Sequence, residues 1–347
     1  MKKILAFVLG GGGARGAMQV GALRALFEAG FKPDLLVGTS IGAINATGLA
    51  VWGMNQAGLE KLEHAYQLME DSKLMDPRLL QFAWNAVSKR QDYRSHRSAR
   101  EILIAAGITP EFRFGQIQNV RLATIAADLD AGEPSIYGLD SEHSVLEGVM
   151  ASFTIPPWFA PIEKEGQYII DGGALSNLPI EPAIRLGATE IIALDLHDPD
   201  SYSELSKTTG PFLPKLASAI TQRQLGLEME LASARGVSVQ YVSLRSTPAV
   251  PLWDFKSHQE LFKVGYETMK NEMSGWPQKS QPAQPLLHLF TKNPPSWISA
   301  GIRKVKHFVQ SAAGTSTKSS QTDSTSFEMA SARISMERDQ LDKGPIA

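Results

Sequence analysis

The tightest constraint on the fold is a run of glycines held between an apolar strand pattern and a helical one. Ile4-Leu5-Ala6-Phe7-Val8-Leu9 passes directly into Gly10-Gly11-Gly12-Gly13-Ala14-Arg15-Gly16, and helical spacing follows over Ala17–Ala29. An unbroken apolar run of this kind reads as a strand covered on both faces, as in a parallel sheet flanked by helices. Glycines at its end let the backbone take positive φ and approach a ligand without a Cβ in the way. The loop amides and the positive end of the next helix make a seat for negative charge, whether a phosphate or a short-lived oxyanion. A turn that merely packs helix on strand is the plainer alternative.

The same alternation continues. Strands are predicted at Leu35–Thr39, Val120–Ala127, Tyr168–Ile170, Glu190–Leu196 and Val237–Leu244, and helices at Ile41–Trp52, Leu59–Glu70, Pro182–Leu186 and Pro211–Arg235. This order predicts a three-layer α/β/α domain around a mostly parallel central sheet. The chain has 347 residues, 43% of them hydrophobic, which suffices for one large core with an appendage or for two domains. Lys and Arg total 34 against 36 Asp and Glu, a net charge of −2, so there is no global pull toward nucleic acid. The absence of Cys excludes disulfides, cysteine-ligated metals and thiol nucleophiles, and suits a cytoplasmic protein. No apolar stretch reaches the ~18 residues expected of a membrane-spanning helix. Met1-Lys2-Lys3 imitates a secretory signal, but the apolar run after it is short and ends in glycines rather than a cleavage site.

A second motif, Gly38-Thr39-Ser40-Ile41-Gly42, again joins a strand to a helix. Gly-x-Ser-x-Gly is the pattern of a nucleophile elbow, in which two glycines relieve a sharp turn that lifts the serine hydroxyl above the sheet. The competing reading makes Ser40 a helix cap. Gly11-x-Gly13-x-x-Gly16 also fits a dinucleotide loop, which needs an acidic residue at the end of the second strand. The nearest, Asp34, precedes Leu35 and falls on the wrong edge of the sheet. Two strand-end turns on one edge therefore point to acyl transfer, with an attacking hydroxyl beside amides for the developing oxyanion.

A serine nucleophile needs a base. Of the seven histidines, His197 alone follows a strand end, ahead of Asp198, and an exposed polar role suits it better. Asp171, in Tyr168-Ile169-Ile170-Asp171-Gly172-Gly173, is the stronger candidate, because flanking glycines leave space around its carboxyl. Taken alone, Asp-Gly would read as a hairpin turn.

Together the three motifs resemble, in order, the signatures of the patatin-like phospholipases. Ala126-Ala127-Asp128-Leu129-Asp130-Ala131-Gly132-Glu133, Ala151-Ser152 through Ile155-Pro156 to Phe159-Ala160-Pro161, Asn177-Leu178-Pro179 and Leu186-Gly187-Ala188 agree with it, so the resemblance spans residues 3–196. It implies an acyl hydrolase of phospholipids or lysophospholipids working through an acyl-serine intermediate, with no metal, cofactor or catalytic histidine. Ser40 would be the nucleophile and Asp171 the proton acceptor. Gly11, Gly12 and Gly13 would form the oxyanion hole, with Arg15, Gly38, Gly42, Gly172 and Gly173 in support. The pattern departs at Phe153 and Thr154, where the family carries small residues, which bears on the acyl pocket and not on the dyad. The same dyad could pass the acyl group to a lipid alcohol, and a membrane-tethered regulatory protein on a retired scaffold would lack one of these residues; none is missing. An α/β-hydrolase triad is less apt, since its elbow follows several strands and this one follows the second.

Outside the expected hydrolase domain of residues 1–275 the composition changes. Residues 276–295 form a proline-rich linker, 296–310 a basic amphipathic helix and 311–347 a Ser/Thr-rich tail read as disordered. Trp297, Ile298, Ile302, Val305, Phe308 and Val309 share one helical face opposite Arg303, Lys304, Lys306 and His307, which suits peripheral contact with an anionic membrane or docking on the main domain. The apolar stretch Met69–Trp84 fits either a lid over an acyl groove or core-packed helices. Oligomeric state is not legible, and nucleic acid is not an expected partner.

Overall fold

The structure, a computed structural model, describes residues 3–72, 94–156, 158–198 and 212–276. In chain order these hold β1 (Leu5–Leu9), α1 (Gly16–Glu28), β2 (Leu35–Thr39), α2 (Ile41–Trp52), α3 (Gln56–Ser72) and α4 (Arg94–Ala105). There follow β3 (Arg121–Asp128), β4 (Glu133–Tyr137), α5 (Val145–Ser152), β5 (Ile162–Lys164), β6 (Gln167–Asp171), α6 (Ile180–Arg185), β7 (Glu190–Asp195), α7 (Phe212–Ala234), β8 (Ser238–Ser243) and α8 (His258–Ser274).

One sheet runs β5-β6-β3-β2-β1-β7-β8, with β4 on the far edge of β3. The strands from β3 through β2, β1 and β7 to β8 are parallel; β4 and β6 run antiparallel to β3, and β5 antiparallel to β6. The chain steps from β1 to β2 to β3 in one direction and later places β7 on the other side of β1. That reversal makes a switch point between the carboxyl ends of β1 and β7, where α/β sheets open a crevice for ligands. The helices accordingly fall into two packed groups, α1, α2, α3, α4, α5 and α8 in one and α6 with α7 in the other. Phe7, Leu9, Leu36, Ile192 and Leu194 share the sheet face that packs on the first group, in one core with Leu23 and Leu49.

The register around β3 decides the site. Thr39 of β2 pairs with Ile125, and Asp171 of β6 pairs with Ala126, the next residue along β3. At Thr124 and Ile125 the second edge of β3 is occupied by β4, and β4 remains paired through Asp128. A strand has two edges, so β6 lies on the edge that β2 vacates. Asp171 therefore follows Thr39 along one edge of β3, beside the turn that carries Ser40.

The predicted three-layer architecture holds, and each predicted strand and helix within the described residues is present to within a few positions at its ends. Sequence reading missed β4, β5, α4, α5 and α8. Residues 73–84 of the Met69–Trp84 stretch, the linker after Trp276, the predicted amphipathic helix and the tail lie outside the described residues. Among the described residues no helix is long and apolar enough to cross a membrane.

Candidate active site

Ser40 stands between β2 and α2 with φ 57° and ψ −124°, a region that a side chain disfavours. Such strain, about 1–3 kcal/mol, persists only where neighbours over-determine the backbone. Here Thr39 Oγ1 donates to the Ser176 carbonyl at 2.9 Å, the Ser40 N–H donates to Ser152 Oγ at 3.0 Å, and the Ser40 carbonyl accepts from Ala43 N at 2.9 Å. Gly42 lies so close to β1 that a Cβ there would stand 2.1 Å from the Leu9 carbonyl oxygen. Although Ser40 occupies the cap position of α2, its hydroxyl makes no capping bond, so the helix-cap reading fails.

The glycine loop leaves β1 alongside. A Cβ on Gly11 would lie 3.1 Å from Ser40 Cβ. Of the three amides expected to face an oxyanion, that of Gly11 is already engaged, donating to the Asn177 carbonyl at 3.0 Å. Among the described residues no acceptor meets the N–H of Gly12 or Gly13. Gly13 takes φ +56°, and a Cβ there would fall 2.3 Å from the Leu252 carbonyl oxygen. Arg15, 2% exposed, donates from Nε to the Gly12 carbonyl at 3.2 Å, and its backbone N–H meets the same oxygen at 3.3 Å. Carbonyl and N–H point oppositely across a trans peptide, so holding the Gly12 oxygen sets the direction of the Gly13 N–H.

Asp171 ends β6. Its N–H donates to the Thr154 carbonyl at 2.8 Å, and its Oδ1 accepts from Gly173 N at 2.7 Å. This Asx-type turn leads into a 3₁₀ turn, Gly172–Ala174, rather than into a hairpin. Burial pushes the carboxyl up from 3.8 to about 7, opposed by the Ser40 hydroxyl and the Gly173 N–H. The hydroxyl is thus close enough to favour the carboxylate, yet Oδ2 is buried without a hydrogen bond of ordinary geometry. Looseness of this kind is common before a substrate tightens a site.

These groups line one cavity of about 230 Å³, with Ile155, Pro156 and Leu252 as its apolar wall. Phe153 and Thr154, the departures from the expected pattern, do not line it. Phe153 is buried against Phe159, ring centroids 5.3 Å apart, and the Thr154 hydroxyl bonds back to the Met150 carbonyl. His197 does line the cavity, and it is buried rather than exposed. Burial, with Arg15 and Arg245, holds it below the usual histidine range against the carboxyl of Asp195, and its Nε2 pairs with Ser218 Oγ at 3.2 Å.

Sequence reading also missed the polar groups that carry these loops. Gln19 Nε2 donates to the carbonyls of Gly10 and Leu194, Asn45 Nδ2 donates to Gln19 Oε1, and Tyr66 Oη donates to Asn45 Oδ1. Glu228, raised to about 7 chiefly by burial, accepts from Ser176 Oγ and Glu181 N and ties α7 to the loop after Asp171. The available signal was an uncharged amide on an otherwise apolar helix, at Gln19 in α1 and Asn45 in α2, since such groups persist in cores only when fully hydrogen-bonded.

The chain is similar in sequence to several known proteins. The chain is 31% identical over 198 residues to rat patatin-like phospholipase domain-containing protein 7 and 26% identical over 295 residues to mouse patatin-like phospholipase domain-containing protein 6. These alignments take in 56% and 78% of this chain but only 14% and 21% of the two relatives. Lysophospholipase nte1 of Aspergillus terreus is 31% identical over 191 residues, 54% of this chain and 12% of its own. Among solved structures, VipD of Legionella pneumophila aligns at TM-score 0.41 and 16% identity over 79% of this chain and 67% of its own, too loosely to bear on the site. The profile of the patatin-like phospholipases covers residues 7–184, just over half of the 347, a span that holds the glycine loop, Ser40 and Asp171; the chain belongs to the patatin-like phospholipase family.

Proposed function

We propose that this chain hydrolyses fatty-acyl esters of phospholipids or lysophospholipids through a Ser40–Asp171 dyad. The observation that carries the reading is the register on β3, which sets a desolvated carboxyl beside a hydroxyl on a strained turn. A base with pKa near 7 suits proton transfer at neutral pH. As Ser40 Oγ bonds to the ester carbon, its proton passes to Asp171 and the carbonyl oxygen becomes an oxyanion met by the N–H groups of Gly12 and Gly13. The carbon–oxygen bond to the glycerol side then breaks, and the leaving oxygen takes the proton from Asp171. Water attacks the acyl-Ser40 ester with Asp171 again as base, and the proton returns to Ser40 Oγ as the fatty acid leaves.

The lysophospholipase and phospholipase names of its relatives support a lipid ester as substrate. Treatment with a fluorophosphonate, followed by peptide mapping, is expected to modify Ser40 and abolish cleavage of lysophosphatidylcholine; folded protein left unmodified at Ser40 overturns the dyad. Residues 296–310, by their sequence, would bring the domain to anionic lipid. Deleting residues 297–347 is expected to weaken binding to anionic vesicles while sparing cleavage of a soluble ester, and unchanged vesicle binding contradicts it.

A further inference from the structure

The turn after α5 touches both halves of the proposed dyad. Ser152 is fully buried at 0% exposure in the last turn of α5. Its hydroxyl oxygen accepts the Ser40 N–H at 3.0 Å and donates to the Ile125 carbonyl at 2.6 Å. Ile125 is the β3 residue in register with Thr39, so this one hydroxyl fastens the strained elbow to the central sheet. Two residues on, the Thr154 carbonyl accepts the Asp171 N–H at 2.8 Å.

A hydroxyl near a helix C-terminus usually bonds back to a carbonyl of its own helix. Thr154 does so, donating to Met150 at 2.7 Å. Ser152 leaves its helix and spends one hydrogen-bonding role on the turn after β2 and the other on the interior of β3. The Ser40 N–H, at the mouth of α2, has no partner within the helix, and a buried N–H must find one elsewhere. Ser152 supplies that partner, so the Ser40 amide is satisfied without help from the glycine loop.

We propose that Ser152 is a positioning residue for the nucleophile, and that Ser152 and the Thr154 carbonyl form a brace setting the distance between Ser40 Oγ and the Asp171 carboxyl. The inference rests on the dyad reading above. A nucleophile displaced by about 1 Å costs roughly 100-fold in rate. Ser152→Ala is therefore expected to lower kcat for a soluble p-nitrophenyl ester about 100-fold while KM stays within about twofold. The acid limb of kcat/KM should also move to higher pH, because the Ser40 hydroxyl is one of the groups drawing the Asp171 carboxyl down. General loosening of the fold would lower amplitude without moving that limb. Ser152→Cys, whose thiol accepts and donates weakly, is measured beside it and should fall between wild type and alanine. A folded alanine variant with wild-type kcat and an unmoved limb overturns the brace; if that variant does not melt cooperatively, the cysteine variant with those same properties does. Labelling of wild-type protein by a fluorophosphonate away from Ser40 would instead sink the dyad, so the two failures are distinct.

Discussion

Ser40→Ala is expected to reduce turnover of a soluble ester by at least about 10⁴-fold, with unfolding still cooperative and KM little changed. The size of the effect follows from what the hydroxyl alone supplies: without Oγ there is no atom to carry the acyl group, and amides and cavity remain as a weak template. The fold should tolerate the change, because the Ser40 hydroxyl makes no capping bond and the elbow is held through its backbone. A companion variant separates chemistry from strain. Glycine relaxes at φ 57° and ψ −124°, so Ser40→Gly should be as inactive as alanine and more stable than wild type by about 1 kcal/mol in urea titration. Equal activity in either variant would remove Ser40 from the reaction.

The second large effect belongs to Asp171. Wild-type kcat/KM should fall about tenfold per pH unit below roughly 7, as protonation removes the base, and Asp171→Asn should lose at least about 10³-fold and the acid limb with it. Stability should move the opposite way. The unfolded carboxyl releases its proton near 3.8 and the folded one near 7, so between these values the native state holds more protons than the unfolded state. Stability therefore declines as pH rises through that window, and above it the buried charge is fully unfavourable. Asparagine escapes the penalty. Asp171→Asn should thus exceed wild type by roughly 2–4 kcal/mol at pH 8, the gain shrinking toward zero near pH 4, as read by denaturant melts across pH. Glu228 titrates in the same range but bends both curves alike, so the difference isolates Asp171. A gain that does not vary with pH would show that the carboxyl is not desolvated as described.

Sequence reading recovered the elements whose patterns are strong and missed those whose patterns are broken. β4 carries Pro134 and pairs only with β3, an edge position where the missing N–H is tolerated but the strand pattern is spoiled. β5 spans only Ile162–Lys164. α5 holds Gly148 in its middle, where a Cβ would press on Thr124 Oγ1 and Tyr137 Cβ, and α8 has Gly265 among alternating polar residues. His197 read as exposed because its strand end seemed free, whereas the fold closes a cavity wall around it.

What the sequence determines on its own is local: a glycine loop that can turn its amides outward after β1, and a sharp Gly-x-Ser-x-Gly turn that carries Ser40. Backbone sterics act between near neighbours in the chain, so motifs of a few residues suffice to write such turns. The meeting of Ser40 with Asp171, the loss of the Gly11 amide to Asn177, and the raised pKa of the carboxyl were decided only by the tertiary structure. They depend on which edge of β3 receives β6 and on how much water is excluded there, and both arise from strand pairing and burial between segments far apart in the chain.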